Sequence, residues 1–294
     1  MSKLNLHKKL AKLSDLQLRL LTGTVYSAFI LSGCFFGPLS TLALVMISAG
    51  VCAGEFYFMY RNEKRLPNEY LGILGSVIMP FSIYILGLIG VVYVLIFTLI
   101  LLIIWYIFEI RASISDVALS LFGVVYNGLM LSSLILMRNS VDSITAQTPA
   151  PYDSFWGGIF VVIIFFSISI NDGCAYLFGK RLGKHKLAPH ISPKKTWEGF
   201  IAGLLANGLA WLLLLLIPQI NINPLQCIAF GLIAGLAGSV GDLFESRVKR
   251  DNNVKDSGNL IPGHGGLLDR MDSVFLNSMT CAILLFGFNC IPFI

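Results

Sequence analysis

Apolar residues form nine long stretches along this chain, separated by short polar segments. The stretches cover residues 20–36, 39–60, 70–88, 90–110, 116–137, 155–178, 199–217, 225–243 and 273–294. A membrane-spanning helix needs about 20 mostly apolar residues, and lipid offers its backbone no hydrogen-bond partners. The runs are too long and too little alternating for the strands of a membrane barrel. The pattern predicts an all-α polytopic integral membrane protein with about nine transmembrane helices.

Lysine and arginine residues are distributed on one side of these predicted helices. If the N-terminus is cytosolic, all of the 21 Lys and Arg residues except Arg138 fall in or beside cytosolic segments. Cytosolic loops of membrane proteins carry such an excess of basic residues. The distribution predicts a cytosolic N-terminus, an external C-terminus and a basic cytosolic face. We expect a multi-pass protein of a bacterial cytoplasmic membrane.

The same pattern divides the chain into regions. Residues 1–19 are basic and amphipathic, which predicts an interfacial segment on the membrane surface. Residues 20–153 form an N-terminal membrane region of five spans. Residues 154–294 form a C-terminal catalytic region of four spans, with cytosolic loops 179–198 and 244–272. The six cysteines have no CxxC spacing and mostly lie in apolar runs, so we expect buried thiols without disulfides or metal.

Carboxylates lie within several predicted spans, where an ionisable side chain costs about 2.5–3.5 kcal/mol. Glu55 and Glu109 are close to basic residues that follow their spans, so we expect snorkelling or an ion pair for both. Asp172 and Asp242 lie near the cytosolic ends of the sixth and eighth spans, beside two basic loops. We expect these two aspartates to belong to a functional site at the cytosolic face.

The most polar segment of the C-terminal region is residues 246–272, SRVKRDNNVKDSGNLIPGHGGLLDRMD. It combines five basic residues with closely spaced carboxylates, and His264 lies among glycines. Helical spacing places Asp242, Glu245, Ser246 and Lys249 on one face of the eighth span, and Asp269 and Asp272 on one face at the start of the ninth. Carboxylates bind Mg²⁺ while Lys and Arg neutralise phosphate oxygens. The segment therefore predicts a site for a phosphorylated, metal-bound substrate.

The other basic loop precedes the seventh span and reads KRLGKHKLAPHISPKKTWEG. Ser192 followed by Pro193 predicts an N-cap with proline at the first helical position. A helix N-terminus attracts anions, and Lys194, Lys195 and Thr196 lie at this end. We expect this loop to contribute to phosphate binding.

Taken together, these motifs resemble the signature of the phosphatidate cytidylyltransferases, also called CDP-diacylglycerol synthases. The positions that match its main motif are Ser246, Val248, Lys249, Arg250, Lys255, Asp256, Gly258, Ile261, Pro262, His264, Gly265, Gly266, Leu267, Asp269, Arg270, Met271 and Asp272. The segments 172–176, 192–199 and 241–246 also resemble family motifs, so the resemblance covers about residues 171–273. It implies that CTP and phosphatidic acid react to give CDP-diacylglycerol and pyrophosphate with Mg²⁺.

The resemblance also implies that Asp242 and Asp269 are the metal ligands, and a second cation such as K⁺ is an open alternative. The reaction that it implies suggests roles for further residues, with Asp272 and Asp172 as second-shell or second-cation candidates. The expected catalytic set is Asp242, Asp269, Lys249, Arg250 and His264. The expected substrate- and phosphate-binding set is Lys194, Lys195, Thr196, Ser246, Lys255 and Arg270. His264 either donates to the leaving pyrophosphate or shapes its turn.

The expected partners are CTP, phosphatidic acid and the lipid bilayer, with no nucleic acid, and a homodimer is an open alternative.

Two other functions are alternative hypotheses. A CTP-dependent lipid kinase needs the same cations but lacks this signature. A transporter could use Asp172 and Asp242 to bind a cation or proton, but the charged residues gather at one face and none lies at the membrane midplane.

Overall fold

The fold is built almost entirely from helices. The computed structural model describes residues 15–61, 65–146, 155–217, 220–261 and 265–293. About 80% of the described residues are helical, as expected for helical spans, in which the backbone pairs with itself. Residues 1–14 of the predicted interfacial segment 1–19 lie outside the described residues, and residues 15–19 belong to the first helix.

Nine helices follow one another in the described part of the chain. They are α1 (Asp15–Phe35), α2 (Pro38–Arg61), α3 (Glu69–Leu86), α4 (Leu88–Phe108), α5 (Ile114–Thr145), α6 (Phe155–Leu182), α7 (Trp197–Leu216), α8 (Pro224–Asp251) and α9 (Leu268–Gly287). Seven of them, α2 to α8, are long and apolar enough to cross a membrane. The protein is thus an all-α polytopic membrane protein, as the hydropathy pattern predicts.

Several helices extend beyond the predicted apolar spans. Helix α6 continues to Leu182, α8 continues to Asp251, and α9 begins at Leu268. The predicted loops 179–198 and 244–272 are therefore partly helical and shorter than expected. The physical reason is that an apolar run ends where lipid contact ends, whereas a helix continues for as long as its backbone hydrogen bonds are satisfied.

Arg138 lies inside the helix bundle and not in an external loop, so that part of the charge assignment is wrong. Helix α5 continues past it to Thr145, and its side chain is only 1% exposed. The guanidinium pairs with Asp142 at 3.3 Å and donates to the carbonyl of Cys34 at 2.7 Å. These partners allow a buried cation that the sequence pattern placed in a polar loop.

A short antiparallel hairpin between α6 and α7 departs from the all-helical expectation. Its strands are β1 (Lys186–Ala188) and β2 (Ser192–Thr196). The predicted helix start at Ser192 is wrong, because strand pairing keeps residues 192–196 extended. Helix α7 begins at Trp197, and the Thr196 hydroxyl accepts a hydrogen bond from the Gly199 amide at 3.3 Å. Thr196 is therefore the N-cap.

Glycines and asparagines bring helices α6 to α9 close together. A side chain at Gly203 would come within 2.7 Å of the Asn171 carbonyl, so α6 and α7 approach more closely than larger residues allow. The Asn277 amide of α9 donates to the Ala234 carbonyl of α8 at 2.8 Å. Small residues and side-chain amides commonly join membrane helices in this way. The packing places the C-terminus of α8 beside the N-terminus of α9.

Helix α5 joins the N-terminal region to these helices. Its turn Val124–Leu129 is π-helical and carries Tyr126. The Tyr126 ring packs between Phe244 of α8 and Phe275 of α9, with ring centroids 5.1 and 4.6 Å away. All six cysteines are free thiols and five are buried, as predicted. The two membrane regions therefore share one continuous core.

Candidate active site

Asp242 on α8 meets the β-hairpin. Lys195 on β2 places its Nζ 2.5 Å from Asp242 Oδ2, and both side chains are about one-quarter exposed, at 26% and 28%. The Ser246 hydroxyl, one helical turn further along α8, lies 3.4 Å from the other carboxylate oxygen. The hairpin thus brings Lys195 to the carboxylate that the sequence predicted as a metal ligand, which is a contact that sequence spacing alone could not show.

Asp269, in the first turn of α9, is held by a dense set of donors. Its Oδ1 accepts from Lys249 Nζ at 2.7 Å. Its Oδ2 accepts from the Ser257 amide and hydroxyl at 2.9 and 3.0 Å and from the Gly266 amide at 2.8 Å. Burial acts to raise the pKa of Asp269, but Lys249 and the backbone donors outweigh it and lower the pKa. Asp269 is therefore a fixed, ionised carboxylate.

Lys249 lies between two buried carboxylates. Its Nζ is 2.6 Å from Glu245 Oε2 and 2.7 Å from Asp269 Oδ1. Glu245 is 1% exposed and Lys249 is 13% exposed. The sequence predicted that Lys249 would bind phosphate, whereas the structure directs its ammonium group to the protein's own carboxylates. Glu245, expected only to share a helix face, is thus part of the site.

Further carboxylates lie near Glu245 and Asp269, and carboxylate oxygens are suitable ligands for a divalent cation. Asp272 on α9 lies against α8 at the residue before Asp242, because a side chain at Gly241 would come within 2.6 Å of the Asp272 carbonyl. Hard cations such as Mg²⁺ prefer these oxygen donors. Among the described residues no three His, Cys, Asp or Glu side chains already converge as a metal site. The carboxylates therefore match Mg²⁺ in the type of ligand they offer, but they do not converge on one point in the described part of the chain.

The other basic side chains that the sequence predicts to bind phosphate lie on the surface of the protein. Lys194, Arg250, Lys255 and Arg270 are exposed, which suits contact with a soluble phosphorylated substrate. His264 lies outside the described residues. Gly265 adopts a φ of +86°, a conformation that glycine takes without strain, and its carbonyl accepts from the Ile261 amide at 2.9 Å. The GHGG segment therefore ends in a tight turn before α9.

Glu55 on α2 is the functional candidate that sequence reasoning missed. The expected ion pair with Arg61 is not formed, because Arg61 pairs with Glu69. Glu55 instead accepts hydrogen bonds from the backbone amides of Leu267 and Leu268 at the start of α9. No spacing signal could have found this contact, because it joins positions more than 200 residues apart. The parallel expectation for Glu109 is confirmed by its pair with Arg111 at 3.1 Å.

The fold and the site together define a class of protein: a polytopic helical membrane protein with paired carboxylates and lysines at one end of its helices. The chain belongs to the cytidylyltransferase family, whose profile matches residues 17–288. The family resemblance predicted for residues 171–273 is thus confirmed, and it extends through the N-terminal spans as well.

Individual relatives agree with the family profile. A phosphatidate cytidylyltransferase of Rickettsia bellii (strain RML369-C) is 36% identical over 76% of this chain and 93% of its own length. One of Staphylococcus aureus (strain COL) is 48% identical over 39% of this chain. One of Staphylococcus haemolyticus (strain JCSC1435) is 37% identical over 55% of this chain. The match spans 44% of the S. aureus protein and 56% of the S. haemolyticus protein.

Proposed function

We propose that this protein is a phosphatidate cytidylyltransferase, which transfers CMP from CTP to phosphatidic acid and releases pyrophosphate. The observation that carries the proposal is the cluster of Asp242, Asp269 and Asp272 with Lys195 and Lys249, where α8, α9 and the β-hairpin meet. Such a cluster suits a reaction between two phosphate compounds. The relatives that match this chain bear the same name.

The reaction requires two polyanions to come together. The phosphate of phosphatidic acid has a second pKa of about 6 and is largely dianionic at neutral pH. Its oxygen attacks the α-phosphorus of CTP, and the bond to pyrophosphate breaks, so no general base is required. The exposed cations Lys194, Arg250, Lys255 and Arg270 neutralise the substrate phosphates, with Ser246 beside Asp242, whereas Thr196 is buried and caps α7. Positioning and charge neutralisation then account for most of the rate enhancement.

Asp242 and Asp272, with Asp172 beside them, are the residues we propose to hold Mg²⁺. When bound, Mg²⁺ supplies positive charge to the transferred phosphate. Asp269 stays a predicted ligand: three of its hydrogen bonds go to Oδ2, whereas Oδ1 accepts from Lys249 and keeps a second lone-pair direction for a cation. A second cation such as K⁺ is part of the same proposal.

The site is proposed to lie at the cytosolic face of a nine-span protein with a cytosolic N-terminus and an external C-terminus. The support is that the basic residues lie in or beside the predicted cytosolic segments. Arg138, the exception, is buried within α5 and is therefore not a positive charge in an external loop. A bacterial cytoplasmic membrane fits this arrangement.

Single cysteine substitutions at Arg250 and Asn289 test the orientation with a membrane-impermeant thiol reagent. Arg250→Cys should react only in inside-out vesicles, and Asn289→Cys should react only in right-side-out vesicles.

Phosphatidic acid must reach the site from the bilayer. Asp172 is exposed on α6, and Tyr176 on the same helix is 65% exposed. Because the two positions are one helical turn apart, Asp172 lies on the same face of α6 as this exposed aromatic side chain. We propose that the lipid headgroup enters laterally along this part of α6 while its acyl chains stay in the membrane.

The proposed activity is tested with purified protein in detergent. Pyrophosphate release from CTP should require both phosphatidic acid and Mg²⁺, and EDTA should abolish it. Asp242→Asn should be inactive yet folded, and Glu109→Gln, an exposed carboxylate paired with Arg111, serves as the matched active control. Pyrophosphate release that is independent of phosphatidic acid would contradict the proposal.

A further inference from the structure

We propose that Glu55 is a positioning residue that fixes the start of α9, and with it Asp269, for cytidylyl transfer. The inference rests on the proposed function and assigns a role to a residue of the N-terminal membrane region. The contact links α2 to the polar segment of the C-terminal region, which carries the signature motif. Through this contact Glu55 connects the two membrane regions at the active site.

Glu55 makes three hydrogen bonds to that segment. Its Oε1 accepts from the Leu267 amide at 3.0 Å, and its Oε2 accepts from the Leu268 amide at 2.8 Å and from the Ser257 hydroxyl at 3.0 Å. The first amides of a helix have no partner within the helix, and a carboxylate there is stabilised by the helix dipole. Glu55 supplies from another helix the cap that α9 lacks locally, since Leu267 makes no side-chain cap.

The signature segment leaves space for this carboxylate. A side chain at Gly258 would place its Cβ 2.8 Å from Glu55 Oε1, and its three nearest atoms would all belong to Glu55. A side chain at Gly266 would overlap Glu55 Oε2 and the Ser257 hydroxyl. Two glycines that match the family signature therefore form a cradle around a residue outside that signature.

One of these donors also contacts Asp269. Ser257 Oγ lies 3.0 Å from both Glu55 Oε2 and Asp269 Oδ2, so the two carboxylates share its single proton, and the Gly266 amide donates to Asp269 at 2.8 Å. Loss of Glu55 would release Ser257 and the first turn of α9, which carries Asp269. Asp269 would stay ionised but would lose its fixed position. A displacement of this kind lowers the rate of the chemical step more than it weakens substrate binding.

Kinetics of Glu55→Gln test the role directly. A glutamine keeps the shape but has only one acceptor oxygen, so at least one charge-assisted hydrogen bond is lost. We expect kcat to fall about tenfold or more, with the KM for CTP changed less than about threefold and the protein still folded. Glu109→Gln is the matched control and should keep wild-type kinetics. A Glu55→Gln enzyme with wild-type kcat would overturn the proposal, as would a loss that only reflects unfolded protein.

A double-mutant cycle with Gly258→Ala tests the cradle independently of activity. If Glu55 is held in place, Gly258→Ala should lower the melting temperature in the wild-type background and have no further effect in Glu55→Ala. Additive losses, or a harmless Gly258→Ala, would overturn the proposed contact. Because melting is measured without substrate, a protein inactive toward CTP would refute the proposed function while the cycle still decides on Glu55.

Discussion

Replacement of Lys249 is the perturbation for which the structure gives the sharpest expectation. From the sequence, Lys249→Ala should weaken activity by removing a phosphate ligand. In the structure its ammonium group is the shared partner of Glu245 and Asp269, at 2.6 and 2.7 Å. Lys249→Ala should therefore reduce the stability of the protein itself, in addition to any effect on catalysis.

The magnitude follows from burial. The Glu245 and Asp269 side chains are 1% and 6% exposed, so water cannot replace the lost ammonium group. Removing one partner of a buried ion pair costs about 3–5 kcal/mol, because an uncompensated charge is left behind. For a chain of this size we expect a decrease in melting temperature on the order of 10 °C. Adding Glu245→Gln should recover part of the loss, because one of the two buried carboxylates that lost the lysine is removed.

Thermal unfolding in detergent, followed by tryptophan fluorescence, measures this effect. Arg247→Ala is the matched control, because Arg247 lies on the same helix and pairs with Asp251 at 3.0 Å where both side chains are exposed. An exposed pair contributes only about 0–1 kcal/mol, so this variant should melt close to wild type. If Lys249→Ala melted no lower than Arg247→Ala, the buried charge network described here would be refuted.

Three other substitutions give separate tests. Asp242→Asn should abolish product formation in the pyrophosphate assay while leaving the melting temperature nearly unchanged, because Asp242 is only partly buried; an active enzyme would contradict its role. Asp269→Asn should be inactive and also less stable, since it loses the charge that binds Lys249; wild-type melting would contradict the hydrogen-bond assignment. Thr196→Ala should cost about 1 kcal/mol of stability by removing the cap of α7, whereas Thr196→Ser should not; equal melting of the two would exclude capping.

The membrane helices could be predicted from the sequence because lipid imposes a strong and local requirement on each span. Helical spacing likewise predicts that Asp269 and Asp272 share one face at the start of α9. Family resemblance pointed to the polar segment that contains them. These inferences succeed because each depends on residues close together in the chain.

The contacts that complete the site are not local, and for that reason they could not be predicted. Glu55 reaches the start of α9 from α2, and Lys195 reaches Asp242 across the β-hairpin. At the hairpin the sequence predicts a helix start, because Ser-Pro is typical of helix N-termini and strand pairing leaves little signal in five residues. Lys249 was assigned to phosphate because the sequence does not show that Glu245 is buried beside it.

The most direct test of the central claim follows the label from CTP into lipid. Purified protein is incubated with phosphatidic acid, Mg²⁺ and CTP labelled at either the α- or the γ-phosphate, and the lipid phase is then extracted. Cytidylyl transfer predicts label in the lipid from α-labelled CTP alone, and none with Asp242→Asn. Label from γ-labelled CTP alone would identify a lipid kinase, and an unlabelled lipid phase in both cases would contradict the proposed function.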